Sequence, residues 1–175
     1  MARKLKFTTH TADLDQALSE ALSDLQSLRD EVAEVRDNLE EHFGNTDRYQ
    51  RYCDAVDNLD AADEEPDVPE CLTGVTVTYT TGTKGGRRGD SRSQRCSNYC
   101  AMLDAVVSGC EQWLEDNPEL DVHDDDDVVE PGEDRVTEDQ ASERTDQRSE
   151  VEEFRDAVEN IKSTCEGTEF PGMYG

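Results

Sequence analysis

Six cysteines have the widest chemical range of any residues in this chain: Cys53, Cys71, Cys96, Cys100, Cys110 and Cys165. Cys96 and Cys100 stand one helical turn apart, a spacing that two metal ligands can use. Cys53 and Cys71 would complete a four-thiolate set. Against that reading, no C-x-x-C knuckle is present, and Cys96, Cys100, Cys110 and Cys165 fall on apolar stripes. Free cysteine is often buried and packs there as a small hydrophobe. The expectation is therefore buried thiols, with no metal and no cofactor. The alternative is a disulfide between different elements, since thiols on adjacent turns of one helix are poorly directed for a bond.

The second candidate is a basic, glycine-rich loop, Lys84-Gly85-Gly86-Arg87-Arg88-Gly89, with Arg92 and Arg95 behind it. It gathers five of the 17 basic residues. Glycine-rich backbone before a helix can cradle phosphate, but G-x-x-x-x-G-K-[ST] is absent, so a nucleotide loop is not supported. Lys84, Arg87, Arg88, Arg92 and Arg95 read instead as a finger that contacts a partner. An acidic neighbouring subunit suits it better than nucleic acid, which the surrounding carboxylates would repel. The closing segment, with Phe170, Met173 and Tyr174, is a second candidate contact, able to dock in a groove of a partner or to fold back on the core.

Other chemistry finds little support. Asp124 to Asp127 lack the spaced ligands and central glycine of a calcium loop. His10, His42 and His123 are scattered, and no nucleophile–histidine–acid order, H-E-x-x-H or dinucleotide fingerprint occurs. No catalytic residue is assigned and no enzyme is expected.

Charge is the strongest signal. Against 44 Asp and Glu stand 17 Lys and Arg, a formal net charge of -27. Repulsion on that scale opposes a compact fold in dilute buffer, and molar salt, with a Debye length of about 3 Å, removes most of it. The lysines are Lys4, Lys6, Lys84 and Lys162, and Ile161 is the single isoleucine. Acidic, lysine-poor chains rich in Val, Ala and Thr resemble, in composition, those of salt-accumulating haloarchaea and their viruses. No apolar stretch is long enough to span a bilayer, and Arg3, Lys4 and Lys6 are followed by no apolar run of the secretory kind. A cytoplasmic or virion-associated protein is expected.

These residues need elements to hold them. Leu5 and Phe7 alternate with polar residues as in a short strand. Thr11 or Asp13 can cap a helix whose apolar positions are Leu14, Leu18, Ala21, Leu25, Leu28, Val32, Val35 and Leu39. Leu18, Leu25, Val32 and Leu39 take a positions, and Ala21, Leu28 and Val35 take d, about four heptads of coiled-coil character. Asp24 with Arg29 and Glu31 with Arg36 would pair between helices. Gly44 ends this helix, and a second follows on Tyr49, Tyr52, Cys53, Val56 and Leu59. Leu18, Leu25, Leu28, Val32, Val35 and Leu39 could thus join two copies of the chain or face the neighbouring helix. Val75, Val77 and Tyr79 form the clearest strand, with Leu5 to Thr9 as its best partner. A third helix carries Cys96, Tyr99, Cys100, Leu103, Val107, Cys110 and Leu114. Residues 118–147 read as an acidic linker. The last helix uses Val151, Phe154, Val158, Ile161 and Cys165.

The fold class is mainly α with a minor β element: a helical hairpin of coiled-coil type, a two-stranded sheet and further amphipathic helices. Residues 1–117 form the body, 118–147 the linker and 148–175 a terminal helix with an aromatic tail. The functional expectation is a non-enzymatic structural or assembly protein of a halophilic archaeon or its virus particle, with other protein subunits as partners. The alternative is an acidic nucleic-acid mimic that blocks a DNA-binding defence protein. A mimic needs carboxylates in rows on one face, and here they occur in every segment.

Overall fold

The computed structural model describes residues 5–44, 46–84, 89–122 and 136–171, leaving aside the side chains of His42 and Phe43. Among these residues the elements are strand β1 (Lys6–Asp13), helices α1 (Leu14–Phe43) and α2 (Asp47–Leu59), strand β2 (Thr76–Thr83), and helices α3 (Arg92–Asp116) and α4 (Glu138–Glu166). Short 3-10 turns occupy Asp60–Asp63 and Glu70–Leu72. The fold is mainly α with one antiparallel two-stranded sheet. No described helix is long and apolar enough to cross a membrane.

Local chemistry sets the helix ends. Asp13 occupies the cap of α1 without a side-chain hydrogen bond; the Leu14 amide donates instead to the Val75 carbonyl at 2.8 Å. Gly44 has a right-handed φ of -57°, so the left-handed freedom of glycine is not what the site uses. A Cβ there would lie 2.9 Å from the Glu40 carbonyl oxygen, and closeness to that last turn is what requires glycine. Thr46 and Ser91 cap α2 and α3, accepting from the amides of Tyr49 and Gln94.

Helix α1 buries Leu14, Ala17, Leu18, Ala21, Leu22, Leu25, Leu28 and Val32. Ala17 and Leu22 widen the stripe beyond a and d positions, which is what a helix needs to pack against more than one neighbour. Both α2 and α3 lie on it. Of the two coverings open to this stripe, a second copy or a neighbouring helix, the chain supplies the second. Leu18, Leu25, Leu28 and Val32 are at most 1% exposed, and Val35 and Leu39 are half-buried against the same core. The expected inter-helix charge pairs are corrected with it. Arg29 binds Asp30, Asp60 and Asp63, Arg36 binds Asp37, and Glu31 binds Arg92 and Arg95.

Helix α3 runs antiparallel to α1, since its start meets Glu31 and its Gly109 meets Leu14. A Cβ on Gly109 would come within 2.8 Å of Val77 Cγ1 and 3.2 Å of Leu14 Cδ1, so this glycine lets β2 and the start of α1 close onto α3. Helix α4 runs antiparallel to α3: Arg148 donates to the Leu114 and Asn117 carbonyls at one end, and Lys162 binds Asp104 at 2.8 Å towards the other.

Helix α4 begins at Glu138, inside the segment 118–147 expected to be a linker. A capping box of Thr137 and Gln140 starts it. Its first turns lack an apolar stripe and are held by arginine. Arg144 lies over the Trp113 ring at 5.9 Å and binds Asn117, beside the Arg148 contacts. Val151, Phe154, Val158, Ile161 and Cys165 of α4 share one core with α1, α2, α3 and β2, so this helix packs on the body.

The ribbon pairs Lys6 with Thr83 through to Asp13 with Thr76 without a break. β1 thus runs four residues beyond the expected Leu5 to Thr9. Val77 and Tyr79 face the core, and His10 stacks on Tyr79 at 5.2 Å.

Candidate anion-binding cleft

The start of α3 is where cationic side chains converge. Gly89, with φ of +65°, turns the chain into it. Ser91 caps the helix, and Arg92 and Arg95 project from its first turn toward α1 and α2. There they meet Glu31 and Val35 of α1, Arg48 and Tyr52 of α2, and Phe170 with Pro171 beyond α4. Together they line a cleft of about 800 Å³.

The electrostatics are uneven. Arg92 Nε donates to Glu31 Oε1 at 2.8 Å, and Arg95 binds the other oxygen. Burial opposes ionisation of Glu31, but the hydrogen bonds from Arg95 and Arg92 outweigh it and hold the carboxyl below its ordinary range. Glu31 is thus an anion that orients two guanidinium groups. Asp90 accepts from the Lys84 amide at 2.6 Å. Arg48 differs: among the described half-buried cations it alone has neither ion pair nor hydrogen bond, and its Nε is buried without a partner. The Nε of Arg95 is likewise buried and unpaired.

A planar guanidinium fork matches carboxylate or phosphate geometry, and the N-terminus of α3 adds partial positive charge. Val35, Tyr52, Phe170 and Pro171 supply an apolar lining beside it. The arrangement can hold an oxyanion that is attached to an apolar or aromatic group. Comparison with family models, curated proteins and solved structures finds no match.

Of the contact residues expected from sequence, Arg92, Arg95 and Phe170 come together here. Lys84 is exposed and does not line the cleft. Arg87, Arg88, Met173 and Tyr174 lie outside the described residues, as do Asp124 to Asp127 and His123. Sequence reasoning missed Arg48 and Tyr52. They stand one helical turn apart along α2, a spacing the sequence shows, but nothing local to that helix places Arg48 beside the start of α3.

The thiols are elsewhere. All six cysteines are free, with Cys96, Cys100, Cys110 and Cys165 buried and Cys53 and Cys71 half-buried. Cys96 Sγ donates to the Cys165 carbonyl at 3.5 Å. A hydrogen bond with Cys100, then burial, push the Cys96 thiol well above its ordinary value. Burial pushes Cys110 and Cys165 up to about 12. Among the described residues no group of three or more His, Cys, Asp or Glu is arranged to hold a metal ion.

Proposed function

We propose that this chain is a non-enzymatic interaction protein working in molar salt, a structural or assembly component of the haloarchaeal virus-particle kind. Its cleft at the start of α3 grips an acidic segment of a neighbouring subunit. The observation that carries this reading is the convergence of Arg48, Arg92 and Arg95 on one cleft, with Arg48 unpaired among the described residues, in a chain of net charge -27. In brine, long-range steering is screened, so a useful contact is direct and hydrogen-bonded, as arginine forks provide. Carboxylates on every helix support salt adaptation over mimicry of nucleic acid, which calls for rows on one face.

The test is binding of a fluorescently labelled acidic peptide carrying one aromatic residue, at ~2 M KCl, where exposed charges are screened. It is compared with the double variant Arg48→Ser, Arg92→Ser. The expected result is saturable binding by the parent and loss of at least tenfold in affinity in the variant, with the helical spectrum unchanged. Equal binding by both would remove the cleft from the proposal. Binding of a DNA duplex by the parent, lost in the variant, would replace the acidic partner with nucleic acid.

A further inference from the structure

We infer that the chain self-associates through the free edge of β1, a second copy adding its own β1 antiparallel to form a four-stranded sheet across two protomers. This stands independently of the cleft.

The sheet order is β1-β2, so among the described residues β1 is paired along one side only. β2 lies on α3 and alternates buried and exposed residues, whereas β1 lies outboard, with Lys6, Phe7, Thr8, Thr9, Thr11 and Asp13 all exposed. Its other side presents a row of backbone N–H and C=O groups, a template for another strand. Proteins blunt such edges with proline, bulges or charge. Here the register is unbroken over eight residues, no proline occurs, and the charged residues of β1 are Lys6 and Asp13.

Charge selects the occupant. Residues 5–13 carry one cation and one anion, and residues 76–83 carry none, so the ribbon is neutral in a chain of net charge -27. Two equally acidic copies repel wherever carboxylates face each other, and the ribbon brings a single carboxylate, Asp13, to the contact. The apolar signal coincides with it. The exposed large hydrophobic residues among those described are Leu5, Phe7 and Val122, and Phe7, at 70% exposure, lies on β1 with Leu5 just before it. In a symmetrical antiparallel pair the two-fold axis is perpendicular to the sheet. Phe7, Thr9 and Thr11 of both copies then share one face, where aromatic and β-branched side chains pack across strands. The α1 stripe is buried within the chain, so β1 takes over the self-association expected of that helix.

Light scattering at ~3 M KCl, where charge repulsion is screened, should give a mass of 39.2 kDa, twice 19.6 kDa. The variant Phe7→Glu, Thr9→Glu should be monomeric with the same helical spectrum. A second, milder variant, Thr11→Lys, should weaken association at least tenfold and decides the matter if the first does not fold. A monomeric parent at every concentration would overturn the inference, and so would a dimer that survives Thr11→Lys with unchanged affinity. Loss of the dimer on Arg48→Ser, which leaves β1 untouched, would place the contact in the cleft instead.

Discussion

Two grooves of similar size carry opposite charge. The cleft at the start of α3 encloses about 800 Å³ and gathers Arg48, Arg92 and Arg95. The other encloses about 740 Å³ between the first turns of α4 and the 3-10 turn at Glu70–Leu72. It is lined by Glu70, Asp139, Glu143, Asp146 and Glu150 with Cys71, Ser142 and Gln147. The cations of that part of α4 are turned away from the groove: Arg144 and Arg148 pin the helix to the end of α3. An acidic groove is what this composition produces by default, with the scarce cations spent on holding helices together. A cleft where three cations meet and one has no partner among the described residues is the departure from that default, which is why it carries the functional proposal.

The largest expected effect is on folding itself. Circular dichroism from ~0.1 M to ~3 M KCl should show helicity rising as the Debye length shortens. Amide exchange should show the first turns of α4, beside the acidic groove, becoming protected only at higher salt than the start of α3, where cations offset carboxylates. Full helicity in dilute buffer, or both regions opening together, would erase the distinction between the two grooves.

Next in size is the core beneath them. Leu25 and Val32 are fully buried, so Leu25→Asp with Val32→Asp places two charges in an apolar interior. The cost is about 3 kcal/mol or more for each. The expected outcome is an unfolded chain, read by loss of the helical spectrum at ~3 M KCl, a salt at which repulsion is screened. A folded monomer would show that α1 is covered by a second copy, contrary to its packing here.

A smaller effect separates Glu31 from the carboxylates of the acidic groove. Its folded value is depressed, so its stabilising contribution is complete above its unfolded value and is lost as pH falls through the folded one. Glu31 is 40% exposed, so the contribution is below ~1 kcal/mol. Chemical denaturation should show Glu31→Gln less stable than the parent at neutral pH, with the difference vanishing on acidification. A difference that persists at low pH would mean the side chain acts by packing.

Least in energy, though sharp in readout, is thiol labelling. Iodoacetamide followed by mass analysis should modify Cys53 and Cys71 in the folded chain. Cys96, Cys100, Cys110 and Cys165 should react only on unfolding, because burial shields all four from the reagent, and raised thiol values at Cys96, Cys110 and Cys165 also keep the nucleophilic thiolate scarce. Labelling of Cys71 ahead of Cys53 would mean that the acidic groove is wider in solution than described.

Periodicity along the chain was enough to place most helices and one strand. Apolar residues recurring with helical spacing in α1, α2, α3 and the second half of α4 had to lie on one face, and the alternation at Val75, Val77 and Tyr79 had to be a strand. The Gly44 boundary was legible because the chemistry of helix ends is local. Partnership was not legible. A heptad stripe is equally satisfied by a second copy or by α2 and α3, and only packing in three dimensions decided for the latter, with Ala17 and Leu22 as the unread clue. The first turns of α4 escaped because long-range arginine contacts to Trp113, Leu114 and Asn117 hold them in place of an apolar stripe. Composition sees those residues only as polar. The cleft is likewise a tertiary product. Arg48, Arg92 and Phe170 are far apart in the chain, and only the folding of α2, α3 and the segment after α4 onto α1 places them around one space.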